Sequence, residues 1–346
     1  VTSSPLLQLV LVRYREFFRE PEAVFWVFVF PVLLTAGLGI AFRNQAPPET
    51  SVAVVAGTPV TDSAHVALEA RHGIRVQALE DSAANEALRA GRVSLVVAPA
   101  PGGTVEYRYD EERPEGRTAR LEVDAAIQGA AGRSNPVATS ERLVSEPGSR
   151  YVDFVVPGLL GMNLMGSGIW GLGFAIVDSR RKKLLKRLIA TPMSRTQYLA
   201  SFVLSRLTML IIEVGVLLGF AAFVFGVPVR GSLVVLGAVC LLSALAFSAL
   251  GLLIASRAQT VEGVSGLMNL VMLPMWIFSG VFFSASRFPD ALQPFIQVLP
   301  LTAVNDALRA TMLEGAGLPR LGPELAVIGT WLAVSFFLAL RLFRWR

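Results

Sequence analysis

Few residues in this chain are equipped for chemistry, and their spacing excludes the common enzyme sites. A nucleotide-binding loop of the form GxxxxGK[ST] needs a lysine directly after a glycine. The three lysines, Lys182, Lys183 and Lys186, all lie elsewhere. ATP cannot be held by such a loop here. No HExxH is present. His65 and His72 are seven residues apart, and two imidazoles alone make a weak metal site. They read as ordinary surface or helix residues. Cys240 is the single cysteine, so neither a disulfide nor a cysteine metal site forms within one chain. A Ser–His protease inside the membrane needs a histidine at membrane depth, so Ser279 and Gly280 read as a packing pair. The expectation is no catalytic residue, no metal and no cofactor bound by this chain.

Polar side chains inside apolar runs remain. Glu213 is the one acidic residue deep in such a run. An intramembrane carboxylate points by default to function. The alternative is a protonated side chain hydrogen-bonded to a neighbouring helix. Asn163 and Asn269 join Glu213 as candidates for a translocation path, with helix–helix contact as their plainer reading.

The elements that must position these groups follow from composition. Of 346 residues, 53% are hydrophobic and only 16% charged, where a soluble domain carries about 25% charged. Mean hydropathy is +0.57. That much apolar surface calls for a membrane as solvent. Residues 43–150 differ, with 15 acidic and 12 basic side chains. The rest of the chain carries a net charge of +8. Because that charge flanks apolar spans, nucleic acid is not its natural partner.

Six apolar runs are long enough to cross about 30 Å of hydrocarbon. They are Ala23–Phe42, Phe154–Val177, Tyr198–Gly226, Ser232–Ala255, Val264–Phe283 and Pro323–Phe343. The first lacks an Ala-x-Ala end and reads as an uncleaved span. With the N-terminus inside, 15 of the 19 basic residues outside 43–150 fall on the inner side. Only Arg230, Arg287, Arg309 and Arg320 fall on the far side. The positive-inside bias puts both termini in the cytoplasm and 43–150 outside it. Residues 1–22 read as a cytoplasmic amphipathic helix in the interface, with Tyr14, Phe17 and Phe18 on its apolar face. Pro157 and Pro274 can bend their helices. Gly158, Gly161, Gly166, Gly168, Gly171 and Gly173 stripe the second run, which suits close helix packing.

Residues 43–150 alternate strand and helix periods in the order βαβαββα, a small α/β domain. Its acidic cluster Asp110, Glu111 and Glu112 lies beside Arg108 and Arg113. It reads as a solvated turn rather than a metal site.

The inner loop after the second span is the most informative segment. Residues 178–190 read DSRRKKLLKRLIA, followed by Thr191 and Pro192. Leu184, Leu185, Leu188 and Ile189 form an apolar stripe beside Arg180, Arg181, Lys186 and Arg187. Pro192 ends the helix. Such a loop either enforces topology alone or docks a cytoplasmic partner; its shortness and stiffness favour docking.

Three segments resemble the type-2 ABC transporter permease family, exporters with the type V fold. YVDFVVPGLLGMNLM, from Tyr151, resembles the opening of the family's second span. LLKRLIATPMSRTQYL, from Leu184, resembles its coupling-helix loop. From Pro274 to Gly315, SGVFFS, Phe288-Pro289, LPLTAVNDALR and LEG resemble its fifth span and the re-entrant helices before the sixth. One departure stands out: Arg180-Arg181-Lys182-Lys183 occupies the start of the coupling helix, where many members have a Glu-Arg-Gly type of sequence.

The resemblance implies six transmembrane helices, with residues 23–42 as the first and 151–346 as the permease core. Within that core, 178–195 would be the coupling helix, with Arg180, Arg181, Leu184, Leu185, Lys186, Arg187, Leu188, Thr191 and Pro192 meeting an ATPase. Residues 284–318 would be the re-entrant segment. Pro157, Gly158, Ser279, Gly280, Pro300 and Arg309 would be structural positions of the family motifs. The chain would be a bacterial inner-membrane half-transporter, pairing as a homodimer or heterodimer in the lipid. Two copies of a separate ABC ATPase subunit would carry the ATP and Mg. Against this stand a secondary transporter and a membrane-anchored sensor of extracytoplasmic ligands. The first usually shows repeated halves and several midplane polar groups, and the second needs a cytoplasmic output domain.

Overall fold

The computed structural model describes residues 5–42, 49–133, 150–181, 195–257 and 260–342. The chain divides into two units, Asn44–Leu143 and the remainder.

The membrane-type unit begins with α1 (Pro5–Arg19) and α2 (Pro21–Ala41). Helix α2 widens into a π-turn over Phe25–Val29. In the inserted unit follow β1 (Thr50–Val55), α3 (Pro59–Glu69), β2 (Ile74–Leu79), α4 (Asp81–Arg89), β3 (Leu95–Ala100), β4 (Thr104–Arg108) and α5 (Pro114–Ala130). The chain then forms α6 (Tyr151–Arg181), α7 (Arg195–Phe225), α8 (Leu233–Arg257) and α9 (Val261–Phe278). Two short helices, α10 (Gln293–Val298) and α11 (Pro300–Glu314), precede α12 (Gly322–Leu342).

Among the described residues, six helical stretches are long and apolar enough to cross a membrane: Pro21–Ala41, Tyr151–Gly171, Leu204–Phe225, Leu233–Ser256, Val261–Phe278 and Leu318–Leu342. Of the 18-residue apolar window within Tyr151–Gly171, 89% is buried, against 50% or less for the windows of the other five. Helix α6 is therefore the axis on which α2, α8, α9 and α11 pack. Its glycines permit this. A Cβ on Gly168 would meet Phe247 Cβ at 2.7 Å, and one on Gly251 would meet the Ile169 carbonyl at 2.7 Å. In lipid, close backbone approach supplies the dispersion contacts that hold helices together. Gly166 and Gly171 meet nothing, so the glycine stripe is packed on one side only.

The fifth apolar run extends five residues past its helix. Helix α9 stops at Phe278 because Gly280 takes φ +70°, the left-handed conformation that ends helices. Helix α1 packs along α7. The Tyr14 hydroxyl donates to Thr208 Oγ1, and Phe17 meets Phe28 edge-on at 6.1 Å.

In the inserted unit the strand order is β2-β1-β3-β4. Strand β1 is parallel to both β2 and β3, and β4 runs antiparallel to β3. Alternate residues of the central strands feed two cores. Val52, Val54, Leu95 and Val97 pack with Leu68 of α3 and Val123 of α5 on one face. Ala53, Val55, Val96 and Ala98 pack with Ala84 and Ala87 of α4 on the other. Both faces are covered, as parallel strands require. Fully burying a side chain such as Leu68 contributes about 1.5–3 kcal/mol. Thr58 and Thr61 cap the start of α3 reciprocally.

The rings of Phe42 and Tyr151 meet at a 41° tilt with centroids 4.1 Å apart. The chain therefore leaves the membrane unit and returns to it at neighbouring points.

Candidate functional site

The loop candidates Leu184, Leu185, Lys186, Arg187, Leu188, Thr191 and Pro192 lie outside the described residues. Arg180 and Arg181 close the last turn of α6. What the structure describes is the pair of helices on either side. Helix α6 has 31 residues, and its apolar run ends at Val177. Helix α7 also has 31, and its apolar run begins at Tyr198. Each continues three or four residues past its apolar run towards the loop, about 5 Å at 1.5 Å per residue. The two helices run up to the loop without a break.

Inside the spans, a polar triad ties these two helices. Ser167 Oγ of α6 donates to Glu213 Oε2 of α7 at 3.0 Å. Arg206 of α7 donates from Nη1 to Glu213 Oε1 at 3.3 Å and from Nη2 to Ser167 Oγ at 2.6 Å. Glu213 is 2% exposed and the Arg206 side chain 30%. Glu213 thus has an ionic partner that the sequence analysis did not name. Arg206 precedes it by seven residues, two helical turns that drift only about 20° apart. That spacing was the available signal. Ser167 carried none, because its contact depends on how α6 and α7 pack.

Asn163 lies elsewhere. Its Nδ2 donates to the Val27 carbonyl of α2 at 3.1 Å. In an α-helix that carbonyl accepts from residue 31, which here is Pro31 and has no N–H. Asn163 replaces the missing donor beside the π-turn. Asn269 is exposed on α9. The three candidates for a path are therefore not brought together.

The motif positions do converge. Arg309 Nη2 donates to the Gly280 carbonyl, and its Nε to the Phe154 carbonyl at 3.3 Å. Its guanidinium lies 3.8 Å from the centre of the Phe154 ring. Asn305, one turn earlier on α11, donates to the Ser279 carbonyl at 2.8 Å. Gly158 makes room: a Cβ there would meet the Val281 carbonyl at 2.5 Å and Arg309 Nη2 at 3.1 Å. One turn on, Gly161 lies against Asn305 Oδ1. Pro300 opens α11 in its first turn, where no N–H is needed. Pro157 lies within α6 without ending it. Asn305 was missed; its spacing of four from Arg309 put it on the same helix face.

The remaining chemistry is plain. Cys240 is a buried thiol. His65 Nδ1 lies 3.8 Å from Glu69 Oε2 in a surface pair. Among the described residues no cluster of three His, Cys, Asp or Glu side chains could hold a metal ion.

The model of the family described as ABC-2 family transporter protein matches residues 22–341. Over 217 residues the chain is 26% identical to "ABC transporter G family member 20" of Dictyostelium discoideum, covering 62% of this chain and 30% of that protein. It is 26% identical over 205 residues to "Nodulation protein J" of Bradyrhizobium diazoefficiens, covering 58% of this chain and 76% of that protein. It is 24% identical over 173 residues to "Inner membrane transport permease YhhJ" of Escherichia coli, covering 50% and 46%.

Proposed function

Because this chain belongs to the ABC-2 transporter family, we propose that it is the transmembrane subunit of an exporter driven by a separate ABC ATPase. Two such chains, identical or similar, would line the path, with two ATPase subunits binding the ATP and Mg. The similarity to an inner membrane transport permease and the basic bias favour the bacterial inner membrane, with both termini in the cytoplasm and 43–150 outside it. The absence of a Gly-Lys step from these 346 residues supports an ATP site elsewhere in the transporter.

The observation that carries this reading is the pair of 31-residue helices, α6 and α7, that run unbroken up to the loop between them. A cytoplasmic motor moves spans only through a stiff element joined to them. Closure of the ATPase pair would push the loop, and the push would travel along both helices. The Ser167–Arg206–Glu213 triad keeps the two in step. Because α6 packs on α2, α8, α9 and α11, its movement reaches most of the unit. Such a switch needs only that ATP favour one of two states.

The test is Leu185→Asp and Leu188→Asp in the apolar stripe, in chain co-expressed with its ATPase. Buried apolar anchors dominate interfaces of this kind, so each change should abolish co-purification of the ATPase and lower export at least tenfold, while membrane insertion persists. The basic residues Arg180, Arg181, Lys186 and Arg187 should tune association rate and its salt dependence. Intact co-purification and export in both leucine variants would leave the loop a topology determinant only.

A further inference from the structure

Helix ends in a membrane leave carbonyls without donors, and no water in the hydrocarbon replaces them. Arg150 meets this need at the end of α7, Arg309 takes a carbonyl two residues past the end of α9, and both connect those ends to the first turn of α6. Helix α7 stops at Phe225, with Gly226 at φ +62°. Arg150 donates to the Phe225 carbonyl at 2.9 Å and to the Gly226 carbonyl at 3.3 Å. Its guanidinium is held from behind by Asp153, whose two oxygens accept at 2.8 and 2.9 Å. The Asp153 side chain is fully buried. Helix α9 stops at Phe278, and Arg309 takes the Gly280 carbonyl. The same guanidinium covers the Phe154 ring and takes the Phe154 carbonyl. The amide of Phe154 in turn donates to the Arg150 carbonyl at 3.3 Å. Tyr151 adds a bond from its hydroxyl to the Phe282 carbonyl at 2.9 Å.

A positive charge at a helix C-terminus is favoured by the helix dipole, and a forked guanidinium serves two acceptors at once. Each arginine therefore binds two elements that a lysine would not. The two caps share residues 150–154, so loosening one removes support from the other.

We propose that Arg150 and Arg309 weld the ends of α7 and α9 to the first turn of α6, forming a cap that moves as one body through the transport cycle. The pivot then lies nearer the loop-bearing ends of α6 and α7. This goes beyond the coupling reading and rests on it only for the existence of two states. Arg309 is a positioning residue in this scheme, not a ligand for substrate.

Hydrogen exchange read by mass spectrometry tests the cap in two arms. In the assembled transporter, peptides covering 150–156, 223–228 and 278–284 should exchange within twofold of each other's change between nucleotide-free and vanadate-trapped states, while 178–195 changes more. Selective release of 278–284 with 150–156 still protected would overturn the proposal. In the purified chain alone, Arg309→Gln and Arg309→Lys should speed exchange at least tenfold in both 278–284 and 150–156. Faster exchange confined to 278–284 would show two independent caps, and it too would overturn the proposal. If 178–195 is unchanged by trapping, the coupling reading fails, and the second arm still decides on the cap.

Discussion

Asn163 donates its side-chain amide to the carbonyl of Val27, four residues before Pro31. The bond joins α6 to α2 at the π-turn Phe25–Val29. Widened turns of this type free backbone groups that a neighbouring helix then satisfies.

Asn163→Leu should therefore destabilise the chain by about 1 kcal/mol, within the range of hydrogen bonds between membrane helices. Pro31→Ala restores a backbone donor at position 31. In the Pro31→Ala background the loss from Asn163→Leu should shrink by at least half. The readout is thermal unfolding in detergent of the four proteins of the cycle. Equal losses in both backgrounds would mean that Asn163 does not answer the proline.

Glu213 and Arg206 form a pair that is largely withdrawn from solvent on the Glu213 side only. Removing one member leaves a charge with its desolvation uncompensated. Glu213→Gln should lower export several-fold, and the double variant Glu213→Gln with Arg206→Gln should recover stability relative to either single change. Contacting charges typically couple by about 0.5–3 kcal/mol in such cycles. Unchanged export and unchanged melting in Glu213→Gln would reduce the triad to simple packing.

Tyr107 in the inserted unit donates to Asp124 Oδ1 at 3.3 Å. Burial first, and then the charge of Asp124, pushes its hydroxyl up to about 12 from 10.0. The folded state therefore prefers the neutral phenol. Its contribution to stability is complete below pH 10 and is lost as pH rises through 12. Tyr107→Phe should flatten the alkaline slope of unfolding of the full chain in that window. An unchanged slope would place the alkaline lability on another group.

Ser63 is exposed on α3 of the inserted unit. Ser63→Cys should be labelled by an impermeant thiol reagent once the outer barrier is opened and before the inner membrane is lysed. Labelling only after lysis would invert the orientation drawn from the basic bias.

The span count was legible because apolar runs of this length have few other uses. Their ends were less so. Residues 279–283 continue the apolar run, and only the backbone of Gly280 shows that the helix has stopped. Arg309 stood out in the sequence as an exception to the basic bias. Its reason is a contact 29 residues back in the chain with the Gly280 carbonyl, which no local pattern encodes. Arg206 with Glu213 could be read from spacing along one helix, whereas Ser167 and Val27 depend on which helices α6 meets. Asn163 and Asn269 look alike in sequence, and burial alone separates them.

The touching rings of Phe42 and Tyr151 carry a consequence for the history of such chains. A gene can accept or lose foreign sequence where the flanking residues already touch, because the cost of closing a longer loop grows only with the logarithm of its length. The junction at 42 and 151 is a docking port of this kind. A cassette of any size could be spliced in, exchanged or excised there, with the six-helix body left to fold as before. Swapping this insert for a short glycine–serine bridge, or for an unrelated domain with adjacent termini, becomes a practical way to present new domains on the same membrane unit.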